Sequence, residues 1–256
     1  MTTSVDDPLI AGMTIRQTLP LHESSRRLRE LYPHCPRVYG VAVMSDVFPR
    51  RWWPLASAVS GDRLQIMFDG IAADMTVRSA ARELATALTH TVIGRVIALV
   101  VLEGRAWDTG IENLWVHADA DGAIDWVGVV DPTLRALPDD PCFRDGPCPA
   151  MVRLPNEAAL TTWVAHRSHR TLAPLFTRLH AMSAGALPVA AMWHTVGSAV
   201  VATATQLPAL TAASEVIAMR RAQAVLDALV GFGLPVRGYP PRGTRTLAKL
   251  GQPCLC

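Results

Sequence analysis

Prolines, aspartates and glycines crowd residues 131–155, and this break constrains the fold more than any other stretch. Proline removes a backbone donor and blocks both helix interiors and central strands. Secondary structure must therefore reorganise across it. Before the break, residues 113–117 and 124–130 alternate apolar and polar side chains on either side of Asp121-Gly122. Asp-Gly between alternating runs is a hairpin signal, so paired strands are expected. After it, from Asn156, apolar residues recur at helical spacing almost to Gly231. The expected fold is α+β and mainly helical. A mixed N-terminal part (1–135) holds the β-hairpin. A loop or linker follows (136–155), then a helical C-terminal bundle (156–256) that carries the tail. The three also read as one continuous domain.

Element by element, residues 22–32 read as a short helix ended by Pro33 and Pro36. Residues 38–44 read as a buried strand or a short apolar segment, and the alternation in 62–68 suggests a strand. Thr76 is placed as the N-cap of a helix running towards Trp107, with a break at Gly94. His90 lies within it. Asn156 caps the next helix, with Glu157 in its first turn and Pro174 as a kink point. Helices follow over 187–207 and 211–230, the last with Val216, Met219, Ala222, Val225, Leu226 and Leu229 as its apolar face and with Arg220 and Arg221 off it.

Composition excludes some classes. Half the chain is hydrophobic and 18% is charged, so a real core is affordable. A net charge of +2 gives no footprint for nucleic acid, and at most peripheral association with a membrane. Lys249 is the only lysine, an Arg bias that reads as a coding effect. The first residues carry Asp6 and Asp7 and no long apolar run, unlike a secretory signal. Residues 91–102 and 187–207 are the most apolar stretches. Arg95 interrupts the first, and His194 and several hydroxyls the second, so both read as core helices of a soluble protein. No phosphate-binding glycine loop and no GxSxG elbow is present.

Chemistry concentrates in the cysteines. There are five: Cys35, Cys142, Cys148, Cys254 and Cys256. An odd count in a large chain without an export signal argues against structural disulfides and for free thiols, redox thiols or metal ligands. Cys254 and Cys256 end the chain one residue apart, where little core is available. Cys142 and Cys148, in the proline-rich break, would complete a four-thiolate set if loop and tail met. His166 and His169 are three residues apart on one helix face, so two imidazoles could hold one metal. The plainer reading is a solvated basic face with Arg167 and Arg170. Asp119 and Asp121 lack the later glutamate a calcium loop needs. The loop 48–54 joins Arg50, Arg51 and Trp52. Arginine pairs with carboxylates and stacks on rings, so these three are candidates for contacting an anionic ligand.

Three stretches resemble the FhuF-like ferric siderophore reductase family, whose domain is similar to the C-terminal part of aerobactin-type siderophore synthetases. They are Ile93-Gly94-Arg95-Val96 running into Leu102-Glu103-Gly104-Arg105-Ala106-Trp107-Asp108; Glu112-Asn113-Leu114-Trp115-Val116-His117 with Asp121-Gly122; and Ala191-Met192-Trp193-His194-Thr195-Val196-Gly197-Ser198-Ala199. The resemblance covers roughly 75–256. It implies a cytoplasmic protein that takes one electron from a donor, through a four-cysteine 2Fe–2S cluster near the C-terminus, and reduces iron in a ferric siderophore. This chain departs from that pattern. Leu247 and Ala248 stand where the family's first cysteine pair would be, and Cys254-x-Cys256 is one residue short of the distal pair. Cys254 and Cys256 are thus the first candidate cluster and metal ligands, with Cys142 and Cys148 recruited, or the cluster is lost. The alternatives are a cluster-free siderophore- or iron-binding protein, and a metal-delivery protein using the terminal CxC.

Overall fold

The computed structural model describes residues 41–46, 51–119, 121–144, 146, 148–208 and 214–238. The helix expected over 22–32, and Cys35, Arg50, Cys254 and Cys256, lie outside them. Strand β1 (Val41–Val43) is buried throughout and β2 is Trp52–Pro54. Two helices follow, α1 (Ser57–Ser60) and α2 (Arg63–Ala72). Residues 62–68, whose alternation suggests a strand, are therefore helical. Leu64 and Phe68 are buried one turn apart while Ile66 between them is 56% exposed, so the face repeats every four residues and not every two.

Thr76 takes an extended backbone and its hydroxyl accepts from the Ser79 amide, so α3 (Val77–Thr89) starts where the sequence places it. The break expected at Gly94 is a π-helical turn, His90–Gly94, that leads straight into α4 (Arg95–Glu103). Gly104, at φ 66°, ends α4 in the left-handed conformation that glycine adopts without strain. The run Val77–Glu103 is long and apolar enough to cross a membrane by length and composition, but 83% of its most apolar window is buried inside the fold.

Strands β3 (Arg105–Ala106), β4 (Leu114–Ala118) and β5 (Ile124–Val129) come next. The expected hairpin is present: β4 and β5 pair antiparallel from Leu114↔Val129 to Ala118↔Ile124. Asp119 Oδ1 accepts from the Asp121 and Ala123 amides and holds the turn. Residues 134–153 contribute β6 (Leu134–Ala136) and β7 (Met151–Arg153). Two sheets result, ordered β1-β5-β4-β2 and β3-β6-β7.

Asn156 accepts from the Ala159 amide and opens α5 (Glu157–Met182). Pro174 lies inside this one helix; Leu172, Leu175, Phe176 and Leu179 are fully buried around it, so packing outweighs the lost hydrogen bond. Helix α6 is Val189–Gln206, and α7 is Glu215–Gly231, capped by Ser214. The apolar face of α7 differs from the sequence pattern at its start. Val216 and Met219 are 77% and 42% exposed, and Ala218 is buried in their place. Helices α5, α6 and α7 pack together and against α3 and α4. One continuous core runs from Val41 to Val236 and joins the sheets to these helices. The architecture is mixed α+β and mostly helical, as expected.

Candidate functional site

Three constellations hold the chemistry-bearing side chains. The first lies where the chain leaves the helical bundle. His166 and His169 project from α5, and Phe232, just past α7, touches both rings, with centroids 5.8 and 5.9 Å away. Trp193 of α6 meets His169 edge-on at 5.8 Å and Phe176 at 5.2 Å. The Nδ1 of His169 is buried without a hydrogen-bond partner. Burial first, then the positive charges of His166 and Arg170, push this histidine below its usual pKa, so its neutral form is favoured. Past Phe232 the chain turns back over α6. A Cβ on Gly197 would overlap the Val236 carbonyl oxygen, so only glycine allows this approach. A cleft of about 510 Å³ opens beside it, lined by Val230, Gly233, Leu234, Pro235, Arg237 and Gly238.

The second constellation is the outer face of the β1-β5-β4-β2 sheet. Alternation sends Val116, Val127 and Val129 to the main core, while Ala42, Trp52 and Trp126 form a separate small cluster with Met44 and Trp115. Gly128 lies beneath it, because a Cβ there would strike Met44 and Trp52. Beside Trp52, 5.3 Å away, His117 is paired through Nδ1 with Asp125 Oδ1 at 2.7 Å. A register shift after His117 makes this pairing possible. The buried Arg95 donates to the Asp125 backbone carbonyl at 2.7 Å.

The expected ligand-contact residues meet this face in part. Arg51 is exposed and adopts φ 65°, uncommon outside glycine. Trp52 is only 7% exposed and packs into the cluster. Arg50 lies outside the described residues. Sequence reasoning missed the His117–Asp125 pair. Its signal was present, since two polar residues flank a hairpin turn, but the register shift that unites them was not.

The third constellation clamps the loop between β3 and β4 onto α5. Arg167 donates through Nε to Asp108 at 2.6 Å and also to Glu112. Its hydrogen bond holds the Glu112 carboxyl below the ordinary range. Thr171 donates to the Thr109 carbonyl, and Asn113 ties the loop to Asp131. Arg167 is therefore not part of a solvated basic face: its side chain is 24% exposed and bound to two carboxylates.

Cys142 and Cys148 are brought together, as a disulfide with Cα atoms 6.1 Å apart. That bond runs against the sequence expectation of free thiols. Its physical basis is local: Asp140 caps the turn Pro141–Phe143 by accepting from the Cys142 amide, and the Cys148 carbonyl accepts from Met151 at the start of β7. Both anchors hold the two Cα atoms within disulfide range. Asp140 is itself buried and bound through both oxygens by Arg105. Bonded sulfurs are not thiolates and supply metal ligands only after reduction. Cys254 and Cys256 lie outside the described residues. Among the described residues, no group of three or more His, Cys, Asp or Glu side chains could hold a metal ion. The described donors do not fit a four-thiolate 2Fe–2S cluster.

No protein-family model matches the sequence, and no curated protein matches it. Among solved structures, the fold is similar to aerobactin synthetase IucC from a hypervirulent pathotype of Klebsiella pneumoniae, with a TM-score of 0.53 at 13% identity. The likeness covers 83% of this chain but 44% of that one, so this chain spans less than half the synthetase's length.

Proposed function

We propose that this protein handles iron bound to a siderophore, and that its most concrete activity is one-electron reduction of a ferric siderophore to release ferrous iron. The observation that carries this reading is the fold shared with a siderophore synthetase over 83% of the chain. A fold used in assembling a siderophore can also serve chemistry on the loaded chelate, although fold alone does not fix activity. Reduction takes one electron per iron from a donor. It favours release because hard oxygen donors hold ferrous iron less tightly than ferric. The outer sheet face supplies a candidate platform for the chelate. Arg51 offers a positive charge to an anionic siderophore and His117–Asp125 a hydrogen-bonding pair, with the buried Trp52 packed behind them.

The cluster-free alternative, a siderophore- or iron-binding protein, draws support from one observation: Cys142 and Cys148 are bonded to each other and withdraw two of the four thiolates a cluster would use. Anaerobic purification, a visible spectrum and iron and sulfide analysis separate the two. Near-equal iron and sulfide in a coloured protein, with reduction of a ferric hydroxamate or citrate chelate trapped by a ferrous chelator, supports the reductase. A colourless protein that binds the chelate without reducing it leaves the binding role. Failure to bind any ferric chelate overturns both.

A further inference from the structure

Letting go of iron consumes protons. Anionic ligands must lose their protons to bind a metal, so binding releases protons and dissociation takes them back. A side chain positioned against the departing oxygen can supply that proton during the step itself.

The His117–Asp125 pair is arranged for such a delivery. Nδ1 of His117 is bound to Asp125 Oδ1 at 2.7 Å. A carboxylate on one ring nitrogen fixes the tautomer and leaves the other nitrogen to do the chemistry. That other nitrogen, Nε2, has no hydrogen-bond partner among the described residues and, unlike His169 Nδ1, is not sealed from solvent. Both side chains are 19% exposed, sheltered yet within reach of a ligand. The pair is also held from both sides. His117 stands between Trp52 and Trp126 in one cross-strand row, and the Trp52 ring lies 5.3 Å from the imidazole. Behind Asp125, the buried Arg95 grips the backbone carbonyl. Other charged or titratable groups around the pair are Asp119 in the hairpin turn, Arg51 just before β2, and His90 in the π turn that packs on β5.

We infer that His117 is the proton donor for iron release: its Nε2 gives a proton to an anionic oxygen of the chelate, and Asp125 is the positioning residue that orients the ring. This deepens the siderophore reading and rests on it.

The step balances without a further reactant. A one-electron donor reduces ferric to ferrous iron. The Nε2–H bond of the imidazolium breaks as the chelate oxygen takes the proton. The iron–oxygen bond breaks with its electron pair left on that oxygen, which becomes a neutral hydroxyl. The imidazole regains its proton from water, and Asp125 stays a carboxylate throughout. Weaker holding of ferrous iron by hard oxygen donors makes the exchange downhill.

The test uses the full chain in excess over ferric citrate or a ferric trihydroxamate, so that all of the chelate is bound. Quenching of tryptophan fluorescence reports binding. Dithionite then supplies the electron, and a ferrous chelator reads the rate of release against a protein-free control. On the unmutated chain, release should be slower in D₂O and should fall as pH rises from about 5 to 8, the range in which imidazoles lose their proton. His117→Ala should slow release by about 100-fold, the lower end of what a positioned acid contributes, and should lose the pH limb. Added imidazole should restore part of the rate in that variant and none in the unmutated chain. Asp125→Asn should slow release while circular dichroism shows an intact fold, and His90→Gln should keep the limb. Release that is indifferent to D₂O and pH on the unmutated chain overturns the inference even if a variant fails to fold. So does a folded His117→Ala with an unchanged rate, or a limb that follows His90 instead. In those cases the chelate still binds and the siderophore reading stands. A chain that binds neither ferric chelate overturns that reading, and this inference with it.

Discussion

Gly197→Ala puts the return of the chain over α6 to a quantitative test. The added Cβ would overlap the Val236 carbonyl oxygen and lie 2.8 Å from its carbon. Those are backbone atoms, so no side-chain rotation relieves the clash and residues 234–238 must lift. Lifting exposes Val236, now 4% exposed, at a cost of about 1.5–3 kcal/mol. Alanine in a helix interior returns about 1 kcal/mol relative to glycine. The net is a destabilisation of about 0.5–2 kcal/mol, or a fall in Tm of roughly 1–8 °C for a chain of this size. Thermal denaturation by circular dichroism reads it, and limited proteolysis should show earlier cleavage around 233–238. The control is the same substitution in a chain ended at Gly233. There the clash partner is gone, only the helix gain remains, and Tm should rise. A rise in the full chain, or an equal fall in the shortened one, would refute this account of the contact.

Other predictions follow from the site geometry. Arg105→Ala strips the buried Asp140 of its guanidinium and should cost about 3 kcal/mol, read as a lower urea midpoint. Burial pushes the Asp140 carboxyl up, but Arg105 and the Cys142 amide more than offset this, so its pKa is lowered on folding. Its contribution is therefore complete above the unfolded value, near pH 4, and is lost as pH falls through the folded one; Asp140→Asn should flatten the acid limb of stability in that window. Arg167→Ala should loosen the loop 108–113 and lower stability by about 1.5–3 kcal/mol, with faster amide exchange at Gly110 and Asn113. Reducing the Cys142–Cys148 bond should cost about 2 kcal/mol by the chain-entropy estimate for so short a loop, and raise the thiol count under denaturing conditions by two. Arg51→Ala should weaken ferric-chelate binding measurably; unchanged binding removes Arg51 from the contact surface.

What the sequence makes legible is what is decided locally. The Thr76 and Asn156 caps and the Asp121-Gly122 hairpin each depend on neighbours a few residues away, and all are found. Residues 62–68 misled because Leu64, Ile66 and Phe68 fit a period of two while Leu64 and Phe68 also fit a helix. Only tertiary burial chooses between them. The start of α7 went the same way: small Ala218 and Ala222 let neighbouring helices approach, so Val216 and Met219 were turned outward. The site residues were hardest. Arg167 with Asp108 and Arg95 with the Asp125 carbonyl are pairings 59 and 30 residues apart in sequence, and no local pattern announces them. The disulfide was hidden for a different reason: compartment statistics spoke against it, while the anchoring by Asp140 and Met151 that favours it is a property of the folded loop.

The π turn at His90–Gly94 acts as a phase shifter between two halves of one rod. A straight α-helix advances about 100° per residue, and a π turn is what remains when one extra residue is absorbed without breaking the rod. Upstream, α3 is phased to α2, α5 and α6; downstream, α4 is phased to α7, α6 and β3. Deleting any one residue of 90–94 would restore an unbroken helix and swing everything after it by about a quarter turn. Arg95 would lose its aim at the Asp125 carbonyl, and the fully buried Val96–Val100 segment would rotate against its partners. The two halves of the fold thus carry separate angular registers, and five residues hold the offset between them.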